Sequence, residues 1–123
     1  MIDFSSLKKA RDVFEDFRQG MLTDRDRAGA IQAFEFSYEL AWKMMKRVLA
    51  ARGQETGSPK DIFRKAAIEK IIDKPELWFE FQSRRNVTVH TYRQENMNYV
   101  LEIFDQFSEE LSKLITILES LEL

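Results

Sequence analysis

The sequence predicts an all-α protein: one domain over residues 1–123, built as an antiparallel up-and-down helical bundle of four main helices plus a short one. Three observations predict it. Apolar residues recur at alternating steps of three and four along most of the chain, the period of a helix with one buried face. Start and stop signals punctuate those runs. Only four glycines and two prolines are present, too few for a turn-rich β fold. At this length, surface scaling gives roughly 7,000 Å² exposed when folded against roughly 21,000 Å² unfolded, so a core can form without disulfides or metals.

Leu7, Ala10, Phe14, Phe17 and Met21 define a first helix over about 5–20. Gly20 and Thr23-Asp24 mark its end and the next start. A second helix follows over about 26–52. Ile31, Phe34, Tyr38, Ala41, Met45 and Val48 form its inner stripe, and Phe36, Leu40 and Met44 add a second one. Gly53 suits the position just beyond its end. After the loop 53–58, Ser58 is an N-cap with Pro59 at the first helical position. Ile62, Phe63, Ala66, Ala67 and Ile71 give that short helix its apolar face. Lys74-Pro75 repeats the signal, and the helix carrying Leu77, Trp78 and Phe81 fails at the β-branched run Val87-Thr88-Val89. Thr91 with Gln94 fits a capping box. The spacing of Met97, Val100, Phe104, Phe107, Leu111, Leu114, Leu118 and Leu121 then predicts one unbroken last helix over about 94–120. The width of the apolar faces on the two long helices predicts a homodimer.

Composition excludes several function classes. There is no cysteine and one histidine, which removes thiolate zinc sites, cysteine nucleophiles and poly-histidine metal sites within a chain. No phosphate-binding loop or dinucleotide fingerprint is present, and no cofactor is expected. With 19 basic and 21 acidic side chains interleaved, the net charge is −2, so no global basic field draws in nucleic acid. No apolar run reaches membrane-spanning length, and the N-terminus lacks a signal-peptide core. The expected compartment is the cytoplasm.

Chemistry concentrates in residues 83–93. This stretch holds Arg84, Arg85, Asn86, the lone His90, Tyr92 and Arg93, where one helix ends and another begins. Arginine offers a planar donor fork to phosphate, and histidine moves a proton near neutral pH. Residues five apart lie about 140° apart on a helix, so Arg85 and His90 need a helix break, or a second chain, to share a substrate. The competing reading makes His90 a local hydrogen-bonding residue, Tyr92 a half-buried core residue and the arginines partners of nearby carboxylates. Glu35 and Glu39 share one face of the second helix, with Lys43 extending the row. They are either a solvated ion-pair face or carboxylates bordering a binding groove.

Three blocks, taken in order, carry a family resemblance. They are Ala30-Ile31-Gln32-Ala33-Phe34-Glu35-Phe36-Ser37-Tyr38-Glu39-Leu40-Ala41-Trp42-Lys43, then Ser58-Pro59-Lys60-Asp61-Ile62-Phe63-Arg64, then Arg85-Asn86-Val87-Thr88-Val89-His90-Thr91-Tyr92. The chain resembles the nucleotidyltransferase substrate-binding protein family, a branch of the HEPN superfamily of small helical bundles. The last block, Arg-x4-His-x-Tyr, is the general HEPN signature. The resemblance implies a homodimer paired with a separate minimal nucleotidyltransferase, and RNA or a nucleotide as a further ligand. It implies two roles. In one, the chain is an accessory protein supplying substrate-binding surface. In the other, it is a metal-independent ribonuclease toxin, silenced when the partner adds AMP to the motif tyrosine. Carried over by residue, Arg85 would stabilise the scissile phosphate, His90 would transfer protons, Asn86 would orient the site and Tyr92 would accept AMP. Arg84, Glu35 and Glu39 are the further binding candidates.

Overall fold

The computed structural model describes residues 2–121; Met1, Glu122 and Leu123, the ends of the predicted domain, lie outside the described residues. Helix α1 spans Ser5–Gln19, α2 Asp24–Ala51, α3 Pro59–Ile68, α4 Pro75–Val87, α5 Gln94–Leu101 and α6 Phe104–Ser120. A single 3-10 turn, Thr88–His90, separates α4 from α5. No strand occurs among the described residues, and no helix there is long and apolar enough to cross a membrane.

Helix α2 is the central post. It packs against α1, α3, α4, α5 and α6, while α1 also lies along α6. Its start is a capping box. The Thr23 hydroxyl accepts the Asp26 N–H, and the Asp26 carboxylate accepts the Thr23 N–H, both at 3.1 Å. It ends in a Schellman motif, with Gly53 at φ +79 and the Gln54 N–H donating back to the Leu49 carbonyl at 2.9 Å. At Gly29 an added Cβ would lie 2.8 Å from Phe17 Cζ, so this glycine lets α1 lie close against α2.

The core is aromatic. The fully buried Phe107 ring contacts Phe34 at a centroid distance of 4.8 Å, Phe81 at 5.1 Å and Phe14 at 5.3 Å, all edge to face. Rings from α1, α2, α4 and α6 therefore meet at one point, and the quadrupole preference for edge contacts fixes their relative tilt. The exposed surface is 7057 Å², close to the scaling value for a monomer of this size. Much of the wide α2 face is covered by the same chain. Met44 is buried and Leu40 half-buried, leaving Phe36 exposed. The width of α2 alone therefore carries little of the argument for a dimer.

Three local expectations are corrected. The helix predicted unbroken over 94–120 divides at Glu102-Ile103. In a continuous helix the Ile103 N–H would donate to the Tyr99 carbonyl. Here an Nη1–H of Arg84 occupies that carbonyl, and the Ile103 N–H turns to Val100 O at 3.3 Å. A side chain inserted into the ladder is a sufficient cause of a break. The short helix predicted to include Ile71 stops at Ile68, because Lys70 adopts φ +60. The Ile71 N–H then closes a second Schellman motif on the Ala66 carbonyl at 2.8 Å. The capping box expected from Thr91 and Gln94 does not form. Arg93 is the N-cap of α5 without a side-chain bond; Thr91 donates to Thr88 O at 3.2 Å, and Gln94 to Asn98 at 3.0 Å.

Candidate functional site

The motif stretch occupies the junction of α4, the 3-10 turn and α5. Its backbone is held at each step. The Thr88 hydroxyl donates to the Arg85 carbonyl at 2.7 Å, closing the end of α4. The His90 carbonyl accepts the Arg93 N–H at 3.3 Å and the Asn96 side-chain amide at 3.0 Å. Thr88 itself is buried. The helix break required between Arg85 and His90 is this turn.

On that frame the reactive side chains face outward. His90 and Asn86 are exposed, and Tyr92 is 78% exposed. The His90 and Tyr92 rings meet edge to face at 6.0 Å. Tyr92 is thus a surface residue rather than a half-buried core one. Asn86 makes no side-chain hydrogen bond among the described residues, so both ends of its amide are available. Val89 is also exposed, which gives the turn an apolar edge.

Arg85 points back towards α2. Its Nε lies 3.6 Å from Glu39 Oε1, an ion pair longer than a hydrogen bond, and that Nε is buried without a hydrogen-bond partner. Nη1 reaches Thr88 Oγ1 only at 3.5 Å. Glu39 is held from its other oxygen by the Trp42 indole N–H at 3.1 Å. The buried hydroxyl of Tyr38, one residue before Glu39, has no hydrogen-bond partner either. Burial pushes Tyr38 well above its ordinary pKa; the Glu39 charge adds to this and Arg85 opposes it. The structure therefore brings together Arg85, Glu39, Trp42 and Tyr38, residues from two helices. Glu39 pairs with Arg85 rather than with Lys43, whose ammonium instead sits 5.8 Å from the Trp42 ring centroid.

Two candidates stand apart from this cluster. Glu35 is half-buried and makes no ion pair or hydrogen bond among the described residues. Arg84 is engaged by the fold. Its Nε pairs with Glu80 at 2.7 Å, Nη1 bonds the Tyr99 carbonyl and lies 3.4 Å from Glu102, and its guanidinium stacks 3.9 Å from the Tyr99 ring centroid. Arg93 is largely exposed, with a loose 4.0 Å contact to Glu95.

Sequence reasoning missed Tyr38, Trp42, Thr88 and Asn96. Trp42 and Tyr38 read as ordinary helix positions, and nothing local marks them as neighbours of a residue on another helix. Among the described residues, no group of three or more His, Cys, Asp or Glu side chains is arranged to hold a metal ion. A groove of about 840 Å³ runs between α6 and the turn after α3, floored by Ile71, Ile72, Leu114 and Ile117 with Glu110 and Lys113 at its edge. None of the sequence-predicted site residues lines it.

Comparison with known proteins bears on this geometry. A Haemophilus influenzae protein named "Probable ribonuclease HepT" is 40% identical over 105 residues, covering 81% of this chain and 72% of the relative. A solved Haemophilus influenzae structure, described as the fold of a substrate binding domain of a nucleotidyltransferase, matches with a TM-score of 0.88 at 32% identity, over 96% of this chain and all 100% of that one. A crystal structure from Thermus thermophilus matches with a TM-score of 0.83 at 23% identity, covering 89% and 96% of the two chains; it speaks to the fold alone. Residues 3–120, from before α1 to the end of α6, match the family described as nucleotidyltransferase substrate binding protein like, and the chain belongs to that family.

Proposed function

We propose that this chain, a single domain over 1–123, is the substrate-binding accessory partner of a separate minimal nucleotidyltransferase. It works in the cytoplasm as a homodimer and needs no cofactor of its own. The observation that carries the reading is a firmly anchored segment with exposed chemistry: Tyr92, His90 and Asn86 face solvent on a backbone held by Thr88, Arg93 and Asn96. Such a segment presents side chains to another protein without first having to be ordered. Co-expression with a small nucleotidyltransferase encoded beside this gene, followed by pull-down, tests the reading. A stable complex at micromolar concentration is expected, and no complex there overturns it. Light scattering of the chain alone tests the homodimer, and a monomer mass at tens of micromolar overturns that part.

A second reading is favoured by the exposed His90 and by the ribonuclease name of the 40% identical relative. In it the chain is a metal-independent ribonuclease toxin of a toxin–antitoxin pair. Arg85 stabilises charge on the scissile phosphate and His90 moves the proton at the ribose hydroxyl or leaving oxygen, with Asn86 orienting. AMP on Tyr92 would add charge and bulk next to His90, since the two rings are 6.0 Å apart. The assay is RNA cleavage in EDTA. His90→Ala removes at least about 10²-fold of the activity, the usual scale of general acid–base catalysis. Tyr92→Phe keeps cleavage but makes it insensitive to the nucleotidyltransferase plus ATP. Absence of cleavage by the unmodified wild type leaves the accessory reading standing alone.

A further inference from the structure

The break in the last helix and the position of His90 are linked through one short helix. We propose that α5 is a strut held at both ends, by Arg84 near its C-terminus and by Asn96 near its N-terminus, and that Arg84 is thereby a positioning residue for His90. At one end the Arg84 guanidinium bonds the Tyr99 carbonyl, stacks on the Tyr99 ring at 3.9 Å and pairs with Glu80 of its own helix at 2.7 Å. The Arg84 side chain is 14% exposed, so these contacts are largely shielded from solvent. At the other end the Asn96 amide donates to the His90 carbonyl at 3.0 Å.

The geometry makes this more than a local contact. Arg84 and Arg85 are consecutive on α4, so the residue that ties α5 down is rigidly joined to the residue that faces Glu39. Helix α5 packs on both α4 and the 3-10 turn. Moving its Tyr99 end moves Asn96, three residues earlier, and with it the carbonyl of His90. Arg84 also takes the acceptor that the Ile103 N–H would use. Without Arg84, the Tyr99 carbonyl is free to take back that N–H. Helices α5 and α6 then join into the single helix that the apolar spacing alone predicts, and α5 swings away from α4. A lysine in place of Arg84 supplies one cation but no planar fork, so it cannot serve Glu80, the Tyr99 carbonyl and the ring together. One side chain therefore sets both the break in the helix and, through α5 and Asn96, the placement of the His90 backbone.

The catalytic consequence rests on the ribonuclease reading; the positional claim does not. The chain has one histidine, so its imidazole carbon–hydrogen signals in a 13C-histidine-labelled sample report His90 alone. Arg84→Met and Asn96→Ala are each expected to displace or double those signals, and the double variant to add little beyond either, because both release the same strut. Arg84→Lys is expected to fall between wild type and Arg84→Met. Leu7→Ala, a buried change in α1, is the control for lost stability and should leave the His90 signals in place. If Arg84→Met does not fold, Arg84→Lys and Asn96→Ala carry the test. His90 signals coincident with wild type in the folded Arg84 variants overturn the proposal, as does an equal displacement in Leu7→Ala. In the RNA assay, Arg84→Met is expected to lower kcat by up to about 10²-fold with KM nearly unchanged, the signature of a misplaced group. A wild type without RNA cleavage sinks the ribonuclease reading and leaves the histidine signals to decide the strut.

Discussion

Replacing Glu39 by glutamine should strengthen anion binding at the Arg85 site. Glu39 and Arg85 approach to 3.6 Å across α2 and α4. At an effective dielectric of about 20, two unit charges at that separation attract by about 4–5 kcal/mol. Both side chains retain contact with water, 28% for Arg85 and 36% for Glu39, and solvent screening reduces the net value to about 1 kcal/mol or less. A phosphate that binds Arg85 must compete with this carboxylate. Removing the charge while keeping an acceptor for the Trp42 indole N–H should return that 1 kcal/mol to the complex, about fivefold in Kd. The assay is fluorescence anisotropy of a short labelled single-stranded RNA, repeated at several salt concentrations. Glu39→Gln should bind about fivefold tighter. Its slope of log K against log salt should steepen by about 0.7, the value for one more phosphate neutralised on a single strand. Adding Arg85→Ala should abolish the gain. Equal or weaker binding by Glu39→Gln would refute the competition between carboxylate and phosphate. Unfolding in urea should change by no more than about 1 kcal/mol, so a large loss of stability would also contradict the screened value.

Phe107→Ala removes the ring on which Phe14, Phe34 and Phe81 converge, and should cost about 3–5 kcal/mol in urea unfolding; a loss below about 1.5 kcal/mol would mean that the core closes around the gap. Lys70→Gly relieves a left-handed backbone at φ +60 and should stabilise the fold by up to about 1 kcal/mol, visible as a raised Tm, whereas a lower Tm would show that the Lys70 side chain matters more than its backbone. Asp61 accepts the Gly57 N–H at 2.8 Å and pairs with Lys65, which hold its carboxyl below the ordinary value of 3.8. A depressed carboxyl contributes stability above its unfolded pKa and loses it as pH falls through the lower, folded one. Asp61→Asn should therefore be less stable near neutrality and show a smaller further loss below about pH 4, where a stability profile parallel to wild type would contradict the assignment.

The first four helices, and the starts of α2, α3 and α4, were legible in the sequence because they are encoded locally. The apolar steps of three and four, Thr23 before α2, Gly53 after it, and the Ser58-Pro59 and Lys74-Pro75 signals each act within a turn or two of chain. The motif stretch was legible for the same reason: the β-branched run after Asn86 ends α4 where Arg85 and His90 need a break. Chemistry and order along the chain also sufficed to see the family resemblance. Tertiary structure decided which charges meet. Glu39 has a suitable lysine one turn away, yet its partner is Arg85 on another helix. Arg84 and Arg85 are chemically identical neighbours. Successive residues on a helix point about 100° apart, so one is absorbed into the α5 contact and the other is turned towards α2. The last helix shows the limit most directly. Its apolar seam continues through Glu102 and Ile103 without a flaw, and no residue there signals a stop. At the break the Tyr99 carbonyl is taken by a guanidinium supplied by α4, a donor remote in sequence, and a periodicity carried by neighbouring residues cannot record such a contact.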